Sequence, residues 1–141
     1  MSGADFEHPR SNDRLHHVSK SLLSRGTAQS SGMQRFEAIS GATTGSERIW
    51  MGENRMAPAT RSADHHHGES ETAIYVVSGH PVFVYLEGDR EVRIETSPGD
   101  YVFVPPFVPH REENPSTEVE AMVVLARSTQ EAIVVNLEHL H

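Results

Sequence analysis

Cysteine is absent from this chain. That excludes a disulfide framework, a thiolate nucleophile and thiolate metal ligands, so any metal site must be built from nitrogen and oxygen donors. No run is long and apolar enough to span a membrane. The first twenty residues are polar and lack the apolar core of a signal peptide, so nothing points to secretion and a cytoplasmic protein is expected. Basic charge is scarce too: 12 Lys and Arg stand against 20 Asp and Glu, and the resulting -8 argues against a nucleic-acid partner. The 141 residues suffice for one domain with a single buried core.

What the chain does have is His65-His66-His67-Gly68-Glu69-Ser70-Glu71. Successive side chains on an extended strand alternate faces, so His65 and His67 share one side and His66 takes the other. Two imidazoles on one face can grip one ion, and Glu71, beyond a Gly-containing bend, can swing a carboxylate towards it. Imidazole with carboxylate suits Fe, Mn, Zn, Ni or Co. The bland alternative is a solvated histidine run.

Residues 1–32 read as an N-terminal arm and 33–141 as a β-barrel domain. Within the arm, Leu15, Val18, Leu22 and Leu23 fall on a helical stripe, with Asn12 and Asp13 as cap candidates and Gly26 as a stop, which predicts a short helix over about 14–24. From residue 33 the apolar period becomes two. Strands are predicted over 34–39, 48–56, 72–77, 81–87, 91–95, 101–104, 119–125 and 133–137, with turns at Ser40-Gly41, Ser78-Gly79, Gly88-Asp89 and Ser97-Pro98-Gly99-Asp100. Pro105-Pro106 ends one strand, since proline brings no N–H to a ladder. Many short strands at regular spacing mean an all-β barrel or sandwich. A further metal ligand should come from a neighbouring strand, and His110 is the candidate, held beyond the rigid elbow Pro105-Pro106-Phe107-Val108-Pro109. His80 in a turn, and His139 and His141 at the C-terminus, are weaker competitors.

These two segments resemble the paired signature motifs of the cupin superfamily. The first is similar to His-x-His, three or four residues, Glu, about six residues, Gly, and is matched by His65, His67, Glu71 and Gly79. The second is similar to Gly, five residues, Pro-x-Gly, two residues, His, three residues, Asn, and is matched by Gly99, Pro105, His110 and Asn114. The resemblance covers about residues 48–126 and implies a double-stranded β-helix, or jelly roll, with three His and one Glu around one ion. There are two departures. Phe107 stands where Gly is expected, so the turn must differ or the ring must fill the barrel mouth. Seven residues rather than six separate Glu71 from Gly79, so Thr72 falls on the usual Glu position; Glu71 is then out of register by one, with Glu69 as the fallback carboxylate.

The ligand set implied is therefore His65, His67, His110 and Glu71. If Glu71 faces inward, Ala73, Tyr75 and Val77 follow it; Val108 follows His110; Val92, Ile94, Ala121, Val123 and Leu125 join them. Tyr75 and Glu69 are the candidates to assist proton transfer. No inward arginine is assigned, so a sugar-phosphate substrate has no support. The expected function is a small metal-binding cupin, either a metal-dependent oxygenase, isomerase or lyase acting on a small organic molecule, or a non-catalytic metal and small-ligand binding module. The apolar stripe of the arm and exposed sheet edges point to a homodimer.

Overall fold

A computed structural model describes residues 14–27, 29 and 31–140. Among these residues eleven strands form two antiparallel sheets. In chain order they are β1 (Met33–Ile39), β2 (Trp50–Met56), β3 (Thr60–Arg61), β4 (His65–His66), β5 (Thr72–Ser78), β6 (Val82–Glu87), β7 (Arg90–Glu95), β8 (Tyr101–Val104), β9 (His110–Asn114), β10 (Ala121–Arg127) and β11 (Val135–Asn136). The first sheet runs β1-β2-β10-β5-β8; the second runs β11-β4-β9-β6-β7, with β3 paired to β9. This is the all-β architecture that the alternating strands predicted, and its two sheets match the jelly roll that the cupin resemblance implies.

Alternation sets the packing. Along β2 and β5 every second residue is buried, and Met56, Ile74, Val76, Val104, Ala121 and Val123 meet Phe83 of the second sheet in one core between the sheets. Strand β6 is apolar on both sides. Phe83 enters that core, while Val82 and Val84 on the other face are covered by Leu140 from the chain's end. Its hairpin to β7 has positive φ at Gly88 only, the pattern of a type II′ turn, whose twist matches that of the paired strands.

Asn114, 1 % exposed, fastens the two sheets together. Its Nδ2 group donates to the carbonyls of Met56 (3.0 Å), Ala57 (3.2 Å) and Val119 (2.9 Å). Gly79 lets β5 end against β10: it has φ +75°, and a Cβ there would stand 2.8 Å from the Ala121 Cα.

The predicted helix over 14–24 is not formed. Only a 3₁₀ turn at Lys20–Leu22 appears, and the cap candidates Asn12 and Asp13 lie outside the described residues. Leu15 is 99 % exposed and Leu22 67 %, while Val18 and Leu23 are only partly buried, so the stripe is not covered as a whole, and a helix this short is marginal without packing. Ser24 instead exchanges backbone hydrogen bonds with Glu37 of β1 (2.9 and 2.6 Å), extending the sheet edge. The Ser40-Gly41 turn opens a single helical turn, Gly41–Thr44, closed by reciprocal Ser40 and Thr43 capping bonds.

Candidate metal centre

His65 lies on β4 directly opposite His110 of β9, and His67 follows at the end of the same extended segment. One nitrogen from each of His65, His67 and His110 falls within a group whose members all lie within 4.8 Å of one another. The ring centroids stand 4.5 to 5.0 Å apart. His65 and His110 are buried and His67 half-buried.

Each ring is oriented from behind. Nδ1 lies 2.7 Å from the Ala63 carbonyl in His65, 2.8 Å from the Ile133 carbonyl in His67 and 3.0 Å from the Val108 carbonyl in His110. A carbonyl oxygen only accepts, so in each neutral ring Nδ1 carries the proton and Nε2 keeps its lone pair. Such outer contacts fix the tautomer and direction of a ligating imidazole. Nε2 of His110 is buried with no hydrogen-bond partner among the described residues. A buried orphan acceptor facing two more imidazoles fits a metal ion, because a metal bond compensates the lost hydration. Burial lowers the His67 pKa to about 4, helped by the charges of His65 and His110 and opposed by the Ile133 hydrogen bond and by Glu112. Burial lowers His110 as well, against Glu112 and the Val108 hydrogen bond. Neutral rings at pH 7 are the form that binds metal.

His66 turns away, as alternation predicted. Its Nδ1 accepts from the Gly68 amide (3.0 Å), and its ring lies 5.9 Å from that of Phe107. Phe107 keeps φ +62°, the left-handed backbone that a glycine adopts freely. The turn is therefore retained and the ring, 63 % exposed, sits outside against His66 rather than filling the barrel mouth. His80 is exposed with Nδ1 3.0 Å from the Thr96 carbonyl. His139 is not part of the group, and His141 lies outside the described residues.

The carboxylate expectation needs correction. Glu71 is exposed and does not join the three histidines; Glu69 is exposed as well. In β5 the buried residues are Thr72, Ile74 and Val76; Thr72 pairs with Val104 and Ile74 with Val102 on the neighbouring strand β8 of the same sheet. Thr72 thus takes the inward place that the one-residue shift assigned to it, and Ala73, Tyr75 and Val77 face out. Tyr75 packs at a tilt against Tyr101 on the outer surface, with centroids 4.9 Å apart, and does not line the cavity beside His110. The inward carboxylate is Glu112. It follows His110 by two residues on β9, opposite the core residue Phe83, and its Oε1 lies 4.0 Å from Nε2 of His110. The signal was present in the sequence: parity from His110 runs forward to Glu112 as well as back to Val108.

Arg111, between the two, faces the opposite way. Its guanidinium donates to Glu113 (2.7 Å), Glu91 (3.0 Å) and Asp64 (3.4 Å), and the hydrogen bond to Glu113 raises its pKa. Arg93 pairs with Glu113 at 3.1 Å. Neither arginine reaches the interior. Beside His110 opens a cavity of about 310 Å³ walled by Phe83, Tyr85, Ile94, Val102 and Val108, with no lysine or arginine in its lining. Val108 and Ile94 were expected there; Tyr85 supplies a hydroxyl in the wall, where Tyr75 had been expected.

A family model described as a cupin domain matches residues 52–126. No curated protein matches the chain. Among solved structures, the polyketide cyclase RemF from Streptomyces resistomycificus superposes with a TM-score of 0.72 at 19 % identity, covering 88 % of this chain and 86 % of that one. A recombinant oxalate oxidase in complex with glycolate gives 0.66 at 18 % identity, over 80 % of this chain. A variant of Bacillus subtilis oxalate decarboxylase OxdC gives 0.66 at 21 % identity, over 78 % of this chain. The chain spans 59 % of the oxidase and 29 % of the decarboxylase, and at these identities the likeness is one of fold.

Proposed function

This chain belongs to the cupin family, and on that premise we propose that it is a small metal-dependent enzyme acting on a small, largely apolar organic molecule. His65, His67 and His110 hold one divalent ion, of Fe, Mn, Zn, Ni or Co. The observation that carries this reading is the orphaned, buried Nε2 of His110 beside two imidazoles whose Nδ1 atoms are tied to backbone carbonyls. A bound ion would polarise a substrate oxygen as a Lewis acid or, if redox-active, activate dioxygen. That chemistry admits an oxygenase, an isomerase or a lyase.

The substrate class follows from the walls. The cavity beside His110 is apolar and offers no cation to pair with a dicarboxylate, so an aromatic or polyketide-like molecule fits it better than oxalate. The wall residues hold the substrate and keep water out, and the backbone carbonyls behind the histidines hold the three rings in place. The second reading, a binding module without turnover, is favoured by one feature: no carboxylate lines the cavity to move a proton. A homodimer is supported by the outward Tyr75, Tyr101 and Phe103, the last two more than half exposed, on the free face of the first sheet. The charge of -8 supports a partner set without nucleic acid.

The test is elemental analysis of untagged protein, followed by calorimetry and product analysis with hydroxylated aromatics and with oxalate. One metal per chain, lost in His65→Ala, His67→Ala and His110→Ala, with an aromatic bound and converted, supports the enzyme. Binding without conversion favours the module. Failure to bind any of the five metals refutes both.

A further inference from the structure

We infer that Glu112 supplies the carboxylate ligand of this metal centre, taking the part that the sequence pattern assigned to Glu71. This deepens the metal-binding reading and rests on it. Three independent placements support it. First, β9 pairs with β6 so that Glu112 stands opposite Phe83 and His110 opposite Tyr85. Phe83 belongs to the inner core, so the face that carries it carries Glu112 inward. Second, the outward positions of the same strand are accounted for by Arg111 and Glu113, which bond to each other at 2.7 Å. Third, both backbone groups of Glu112 are held by Ser62: the amide donates to Ser62 Oγ (2.9 Å), and the carbonyl accepts from the Ser62 amide (2.8 Å). The direction of the side chain is thereby set by the sheet rather than by a loop.

The distance is of the right size. Metal–nitrogen and metal–oxygen bonds of about 2.0 to 2.2 Å put two ligands of one ion about 3 Å apart at right angles and about 4 Å apart when opposite. The 4.0 Å between Glu112 Oε1 and His110 Nε2 lies within that span. Glu112 is outside the compact group of three nitrogens, so binding would require its side chain to turn about its own torsions. Its side chain is 15 % exposed, and no hydrogen bond to its carboxylate is found among the described residues. Glu71, by contrast, is exposed and its backbone pairs with Ser128 on the far side of β5. An oxygen donor added to three imidazoles widens the choice towards oxygen-seeking ions such as Mn(II).

The experiment measures Mn(II) and Ni(II) affinity by calorimetry on the full chain for wild type, Glu112→Gln and Glu71→Gln. Melting of the metal-free proteins confirms that they fold. Glu112→Gln should weaken Mn(II) ten- to a hundred-fold and Ni(II) less, and Glu71→Gln should match wild type. Equal losses for both metals would mean that Glu112 acts only through His110, and would overturn the assignment. So would unchanged Mn(II) affinity in Glu112→Gln, or a loss in Glu71→Gln. If wild type binds neither metal, the metal-binding reading itself fails, which is a separate result. Should Glu112→Gln not fold, the Mn-loaded wild-type crystal structure decides. An oxygen of Glu112 about 2.2 Å from the ion upholds the inference; an ion held only by three histidines and water overturns it.

Discussion

Three imidazoles held with their ring centres 4.5 to 5.0 Å apart make the metal-free protein acid-sensitive, and the cost can be worked out. An unfolded histidine takes up its proton near pH 6.5. Folded His67 resists until about pH 4, because burial disfavours the charged ring and His65 and His110 repel it. Between those values the unfolded chain binds more protons than the folded one. Stability is therefore complete above about pH 6.5, falls as the pH drops towards 4 and levels off below it. About two and a half pH units at about 1.4 kcal/mol each give about 3 kcal/mol, and the half-buried ring brings this nearer to about 2. That is a large part of a typical stability of about 5 to 15 kcal/mol. His110 shifts the same way and adds to the loss. The assay is urea denaturation of chelator-treated wild type and His67→Gln at pH 7.5, 6, 5 and 4. Glutamine can still donate to the Ile133 carbonyl but does not titrate. The variant should lose less stability on acidification, and the gap between the two profiles should grow as the pH falls from 6.5 to 4. Parallel profiles, or a wild type that gains stability towards pH 5, would refute the reasoning. Protons also compete with the ion for these nitrogens, so a bound metal should be released in the same direction. The low pKa of His67 moves that release below the window of about 6 to 5 that unperturbed histidines would set.

Other expectations follow from single contacts. Asn114→Ala leaves the carbonyls of Met56, Ala57 and Val119 without their side-chain donor and should cost about 3 kcal/mol in denaturant unfolding; a loss below about 1 kcal/mol would contradict its role between the sheets. Phe107→Gly relieves a left-handed φ of +62° and should raise stability by up to about 1 kcal/mol, with metal affinity unchanged; destabilisation by calorimetry would show that the ring on His66 matters more than the backbone. Arg111→Ala strips three carboxylates of their shared cation and should cost about 2 to 3 kcal/mol at low salt, less in 1 M NaCl; a loss that salt leaves unchanged would assign the effect to packing of the arginine stem.

Much of the architecture was legible because strand chemistry is local. Period-two alternation marked β2, β5, β7 and β10 within a residue or two of their ends, and Gly88-Asp89 marked a hairpin whose turn needs only those two residues. The two short motifs marked the three histidines, because a strand sends residues two apart to one side whatever surrounds it. The arm was misread for the complementary reason: an apolar stripe predicts a helix only if something covers it, and Leu15 has nothing on it.

Alternation by itself does not say which of two faces is buried. Anchoring β5 on Glu71 sent Tyr75 and Val77 inward, and an error of one residue inverts every side chain of a strand. The choice was made by the pairing of Thr72 with Val104 and Ile74 with Val102, contacts some thirty residues away in sequence, where burying the apolar set outweighs the reach of one carboxylate. The same pairing logic put Glu112 inside beside His110 and Arg111 outside among acids. The carbonyl that orients His67 comes from Ile133, on a segment whose position only the folded chain defines. Residue types and their two-residue spacing are properties of the sequence; inside and outside are properties of the sheet that a strand joins, because free energy is gained only when a face meets another face.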